Sequence, residues 1–176
     1  MKKIMVVGIS AGVGKSTFAK KIGDLLDIPV HHLDRHFWKP GWAQATFEEF
    51  RGAQEEILEH DRWIIEGNYT ATYDMRAEQA DTIIYLELPR YVCIYRVFKR
   101  FFKNIGRTRP DLGPDCKEKI DWPFLKFIWT TYYPRKAQMQ KRFTAFQSLG
   151  KDKTIVELKN KKEIADYLQS LEKNIK

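Results

Sequence analysis

A chain of 176 residues, 43% hydrophobic and 31% charged, is long enough to bury a core and too rich in aromatics to remain disordered. Its formal net charge of +8 favours anionic partners, and nucleotides, free phosphates, nucleic acid and membrane surfaces all qualify. The two cysteines, Cys93 and Cys116, have no CxxC or Cys/His spacing, no signal core follows Met1, and no segment approaches the roughly 18 apolar residues of a membrane span, so the expectation is a cytoplasmic, non-membrane protein.

Ile4 to Val7 is a short β-branched run that predicts a buried strand. A Gly-rich turn follows. From Lys15, Phe18, Ile22, Leu25 and Leu26 recur at helical spacing, and this helix is expected to end near Asp27, before Pro29. Pro29 to Leu33 is a second strand candidate. Thr46 and Glu49 fit a capping box, so a helix starts there and continues through Phe50, Gln54, Ile57 and Leu58. Trp63 to Ile65 predicts a third strand ending at Glu66-Gly67, and Thr82 to Leu88 a fourth, stopped by Pro89. The next helix carries Val92, Tyr95, Phe98 and Phe102 on one side, with Cys93 as a packing residue. Gly106 to Cys116 has loop composition. A long aromatic helix begins near Asp121, and Pro134 is expected to kink or divide it. Thr154 to Leu158 is the last strand, and Ile164, Tyr167, Leu168 and Leu171 mark a closing helix.

Strands alternating with helices imply a parallel sheet covered on both faces, with ligands bound beyond the carboxyl ends of the strands. The segment after the first strand has the matching chemistry. In Gly12-Val13-Gly14-Lys15-Ser16-Thr17 the glycines let backbone amides curl around phosphate oxygens, and the helix N-terminus adds its positive end. Lys15 suits the β- and γ-phosphates of ATP, and the Ser16 hydroxyl suits Mg²⁺. Five residues separate Gly8 from Gly14, one more than usual; either a residue is inserted before Gly12 or Gly8 belongs to the strand.

The chain resembles the adenylate-kinase-like P-loop kinases, and among them the group known as DNA topology modulation proteins. The resemblance runs over nearly the whole chain. It rests on the phosphate loop, His32-Leu33-Asp34, Phe37 to Trp42, Trp63 to Tyr69, and Arg107 to Leu112. It implies a three-layer P-loop NTPase fold: a parallel five-stranded sheet with helices on both faces and a helical or loop lid. One domain would span 1–176, with an acceptor-side helical region at about 35–60 and a lid at about 100–120.

The resemblance also assigns site residues. Asp34 matches an acceptor-binding or metal-linked aspartate of shikimate-kinase-like enzymes; a cap or turn role is the alternative. Glu66-Gly67 matches the Asp-Gly pair that ends the same strand in adenylate kinases. That gives Glu66 an indirect, water-mediated contact to Mg²⁺ and lets Gly67 approach the acceptor. Arg76 is the nearest match for a phosphate-binding arginine of the acceptor site. Trp38 and Trp42 either stack on an aromatic acceptor or wedge the acceptor-side helices together. Arg100, Arg107 and Arg109 suit a lid that closes over phosphates, against the alternative of a solvated basic face, and Arg135 is a weaker candidate. His31 and His32 without a third ligand are a poor metal signal.

Two functions follow. The first is a phosphotransferase of the nucleoside-monophosphate-kinase type, moving the γ-phosphoryl group of ATP to a nucleotide or small-molecule acceptor. The second is an ATP-dependent regulator associated with nucleic acid, for which the sequence holds positive charge but no helix-turn-helix, zinc-finger or aromatic single-strand-binding signature.

Overall fold

The structure, a computed structural model, describes residues 1–175. The first apolar run forms strand β1 (Lys3–Gly8). Ile4, Met5 and Val6 follow one another at 0% exposure. Successive strand side chains point to opposite faces, so both faces of the sheet are covered. Helix α1 (Lys15–Leu26) buries Phe18, Ala19, Ile22 and Gly23. Gly23 lies so close to the next strand that a Cβ there would run into the Val30 side chain.

The chain continues through β2 (Val30–His32), the short helix α2 (Leu33–Phe37) and a small ribbon of β3 (Trp38–Lys39) and β4 (Ala43–Gln44). Helix α3 (Phe47–Leu58) starts as expected: Glu49 N–H donates to Thr46 Oγ1 at 3.2 Å, and Thr46 N–H donates back to Glu49 Oε2 at 2.8 Å. Then come β5 (Trp63–Glu66), α4 (Tyr73–Gln79), β6 (Thr82–Leu86), α5 (Arg90–Lys103), α6 (Trp122–Ser148), β7 (Thr154–Leu158) and α7 (Lys161–Ile175).

The five longer-range strands form one sheet in the order β2-β5-β1-β6-β7, with every pairing parallel. The chain starts in the middle, builds outward through β5 and β2 on one side, and through β6 and β7 on the other. This reversal of direction beside β1 opens a crevice at the carboxyl ends of the strands. The loops after β1, β2 and β5 all end there.

Three details differ from the sequence expectations. The apolar side of α5 is not where Tyr95, Phe98 and Phe102 lie: Cys93 and Val97 are buried, while Tyr95 is 65% and Phe102 68% exposed. Aromatic character alone does not tell an inward stripe from an outward one. Helix α6 runs unbroken through Pro134, although proline removes one backbone donor. The ribbon and helices α2 and α4 are too short to leave a periodic signal.

Candidate active site

Gly8 is the last residue of β1, paired with Leu86, and the Ile9 N–H donates to the Leu86 carbonyl at 2.9 Å. The strand therefore absorbs Gly8, and the loop proper begins after Ile9. Gly12 and Gly14 adopt φ of +79° and +106°, a region that side chains other than glycine rarely enter. A Cβ on Gly12 would also strike the Cys93 carbonyl oxygen. The loop thus rests directly on the backbone of α5.

Three side chains from distant elements fasten this loop. Asn68, just past β5, accepts from the Gly8 N–H at 3.0 Å and donates to the Gly8 carbonyl at 2.7 Å. Arg96 of α5 donates to the Val13 carbonyl at 2.8 Å, and Arg135 of α6 to the Ile9 carbonyl at 3.3 Å. Burial pushes the Arg135 pKa down. Both guanidinium groups keep further N–H donors beside the loop.

Lys15 opens α1 with its ammonium 3.5 Å from the Ser10 carbonyl and 3.9 Å from Glu66 Oε1. Its side chain is only 14% exposed, so it lies within the crevice rather than facing solvent. Ser16 and Thr17 follow in the first turn and line the same cleft. Glu66 is the last residue of β5, and the β2–β5 register places His32 opposite it. Their side chains meet, His32 Nδ1 to Glu66 Oε2, at 2.9 Å. Glu66 is thus held between an ammonium and an imidazole.

Asp34 sits in the first turn of α2. Tyr69 donates its hydroxyl proton to Asp34 Oδ1 at 2.6 Å. Oδ2 has no protein partner among the described residues. Burial, and then the neighbouring Glu66, raise the Asp34 pKa above the ordinary aspartate range; the Tyr69 hydrogen bond, Lys15 and Arg109 pull it back. Burial and the same carboxyl push the Tyr69 phenol up, so it stays a proton donor. Phe37 and Phe50 pack on the Tyr69 ring with centroids 4.9 Å and 4.7 Å away and fix its position.

Trp38 and Trp42 form an edge-to-face pair at 5.2 Å and line the cleft. They also carry the lid segment. Trp42 Nε1 donates to the Lys117 carbonyl at 3.0 Å, Lys119 stands over the Trp42 ring, and Cys116 Sγ donates to the Lys39 carbonyl at 3.3 Å. Gly113 lies so close to Trp38 that a Cβ would strike its carbonyl oxygen. The tryptophans thus line the cleft and also wedge two regions together.

The lid arginines separate. Arg100 and Arg109 line the cleft; Arg107 is exposed and is not among the lining residues. Its side chain stands outside the cleft, and its backbone ties the lid segment together through Asn104 and Glu118. Arg76, expected at an acceptor phosphate, is corrected. It is 0% exposed and donates to the carbonyls of Thr72, Gly67 and Tyr69 at 3.0, 3.1 and 2.7 Å. Burial drives its pKa down to about 10. It holds the loop after β5 from within and faces no acceptor. Gly67, at φ +146°, packs against Leu33, where a Cβ would come within 2.9 Å of the Leu33 Cβ.

The cleft measures about 1440 Å³ and runs from the phosphate loop to the aromatic walls. Sequence reasoning left His32, Asn68, Tyr69 and Arg96 without a role in it. The strings holding the first three were visible at strand ends, but the pairings depend on strand register across the sheet.

No protein-family model matches the chain, and no curated protein matches it by sequence. Solved structures do. A shikimate kinase from Bacteroides thetaiotaomicron is 19% identical, with 98% of this chain and 97% of that one covered and a TM-score of 0.53. The fold is that of the P-loop kinases. A shikimate kinase from Acinetobacter baumannii, in complex with shikimate, is 15% identical over 99% and 93% of the two chains, with a TM-score of 0.54. A gluconokinase from Sinorhizobium meliloti 1021 is 17% identical over 99% and 95%, with a TM-score of 0.52. No described helix is long and apolar enough to cross a membrane.

Proposed function

We propose that this chain is an ATP-dependent phosphotransferase acting on a nucleotide-like or small-molecule acceptor. The observation that carries the reading is Asp34, oriented by Tyr69 and close enough to Lys15 for the ammonium to bias its proton affinity, at the far side of a cleft that begins in the Gly12–Thr17 loop. A cleft of about 1440 Å³ exceeds the roughly 300–1,000 Å³ of a usual single-ligand pocket, which suits a nucleotide and an acceptor together.

In this reading the Gly12–Thr17 amides and Lys15 take the phosphates of ATP. Mg²⁺ would be held by the Ser16 hydroxyl, with Glu66 reaching it through water, and would neutralise charge on the β- and γ-oxygens. Arg96 and Arg135 turn their remaining donors toward the transferring group. Asp34 Oδ2 accepts the acceptor hydroxyl's proton as the oxygen attacks the γ-phosphorus, and the bond to the ADP oxygen breaks with its electron pair leaving on ADP. A pKa raised by burial brings this carboxylate nearer the working pH of a general base. Trp38, Trp42 and Gly67 would border the acceptor. The shikimate kinases and gluconokinase that share the fold support a small-molecule acceptor; a place near the DNA topology modulation group rests on the sequence motifs alone. Residues 1–176 would act as one kinase domain with its acceptor region and lid.

The test is ADP release from ATP and Mg²⁺ over a screen of nucleotides and small metabolites. Lys15→Ala is expected to abolish turnover and ATP binding while leaving the circular dichroism spectrum unchanged. Unchanged turnover in that variant removes the assignment.

One observation favours a second reading, an ATP-dependent nucleic-acid-associated regulator. Tyr91, Tyr95, Phe98 and Phe102 are exposed along α5 beside Lys99 and Lys103, and exposed aromatics among cations suit stacked bases. Filter binding to single-stranded DNA separates the readings. Binding that survives physiological salt favours the regulator; binding that vanishes is non-specific charge.

A further inference from the structure

The positive charge of the chain is unevenly placed. Helices α5 and α6 hold ten of the 31 Lys and Arg and none of the 23 Asp and Glu, which leaves the remainder slightly acidic. The same helices carry the exposed aromatic surface. On α5, Tyr91, Tyr95, Phe98 and Phe102 recur at steps of four, three and four residues, so all four rings fall within an arc of about 60° on one side of the helix. Trp122, Lys126, Trp129 and Tyr133 repeat that spacing on α6. These seven rings are between 37% and 76% exposed. Arg90 joins the two rows: it opens α5 and stands 3.3 Å from the centre of the Trp129 ring and 5.3 Å from that of Tyr133.

None of the seven rings borders the cleft, so nucleotide chemistry does not account for them. Apolar surface left open on this scale marks an interaction site, and the charge around it selects the partner. A second copy of the chain would set one acid-free pair of helices against another, and like charges oppose that. A nucleic-acid strand suits the rings less well than they first suggest. Strand binders run the backbone along a cationic groove, whereas these rings project from the outward sides of two helices. The aliphatic side chain of Ile105, 59% exposed just past α5, offers no ring for a base to stack on. A bilayer surface has neither requirement. Tyr, Trp and Phe settle at the level of the headgroups, and an aliphatic side chain enters the same layer. Lys99, Lys103 and Lys126 are exposed and have no ion-pair partner among the described residues, so they are free to meet anionic headgroups.

We propose that α5 and α6 form a docking face by which the chain lies on an anionic phospholipid bilayer. The face rests on the surface and does not span it, since no described helix is long and apolar enough to cross. Lys99 and Lys103 stand between the α5 rings and the cleft, which they also line, so docking brings the rim of the cleft toward the headgroups. The inference does not depend on the phosphotransferase reading.

The test is sedimentation of the full chain with vesicles at physiological salt. Vesicles of phosphatidylcholine with about one-third phosphatidylserine are expected to bind it at least tenfold more strongly than phosphatidylcholine alone. The double variant Tyr95→Gln/Phe102→Gln, which keeps good helix formers on an exposed face, is expected to bind at least fivefold more weakly with an unchanged circular dichroism spectrum and melting temperature. A second measurement needs no variant: phospholipid brominated in its acyl chains should quench tryptophan fluorescence of the parent, because Trp122 and Trp129 lie in the rows. Absence of quenching, equal binding to the two vesicle types, or equal binding by parent and double variant overturns the proposal. Two other occupants are read in parallel. A dimer in sedimentation velocity that the double variant dissolves would assign the face to a second copy. An oligothymidylate that is held at the same salt, lost in the double variant and able to release the chain from vesicles would assign it to nucleic acid. Either result overturns the bilayer.

Discussion

Arg76 offers the sharpest separation of a structural role from a binding one. Its guanidinium donates three hydrogen bonds to the carbonyls of residues 67, 69 and 72, and the side chain is 0% exposed. Arg76→Met keeps much of the volume and removes all three donors. Hydrogen bonds to a charged group contribute about 1.5–3 kcal/mol each, and the carbonyls left behind are unsatisfied. Against this, the variant no longer buries a charge, which returns part of the loss. Three such bonds sum to about 4.5–9 kcal/mol, and the relief from burying a charge leaves an expected net loss of about 3–5 kcal/mol. A protein of this size loses about 2–4 °C of melting temperature per kcal/mol, so the drop is about 6–20 °C. Calorimetry and urea denaturation measure it. Turnover at low temperature is expected to fall too, because the loop carries Tyr69 and Tyr69 orients Asp34. A Met variant within about 1 kcal/mol of the parent would refute the structural reasoning. So would a variant of full stability that loses only acceptor affinity.

Asp34→Asn is expected to slow turnover by about a hundredfold or more, as loss of a general base does. Its stability effect has the opposite sign. The folded pKa of Asp34 is raised, so the stability linked to its protonated form is present at low pH and lost as pH rises through the folded value. At pH 7 the Asn variant should therefore match or exceed the parent in urea denaturation; a clear loss contradicts the linkage. Gly113→Ala places a methyl against the Trp38 carbonyl and should raise the acceptor KM while leaving ATP affinity unchanged, as initial-rate kinetics would show. Cys93 is 0% exposed and its thiol is pushed up to about 11 by burial, so iodoacetamide at pH 8 should label it only after unfolding. Labelling of the native protein at the parent's full activity would show that α5 does not seal the phosphate loop.

The parallel sheet and the phosphate loop were legible in the chain because both are local. β1, β5 and β6 are apolar runs flanked by turn residues, and the glycines at 12 and 14 announce a backbone that only glycine takes easily. Thr46 and Glu49 likewise state their cap within four residues. Asp34 and Glu66 stood out because they follow or end a strand, where ligands collect in this architecture, and Lys15 because it opens the helix behind the glycine loop. The rest needed the tertiary structure, for a physical reason. Whether an arginine is free is decided by which carboxylate or carbonyl lies within about 3 Å of it, and sequence distance does not encode that. Arg76 and Arg109 look equally available in the sequence. Folding seals one beneath the loop after β5 and hands the other to Asp111 and Glu118. In the same way, the β2–β5 register brings His32 to Glu66, and the end of β5 brings Tyr69 to Asp34. The chain itself specifies the glycine turn between β1 and α1; only the packing of the loops decides which arginines keep free donors in the cleft beside it.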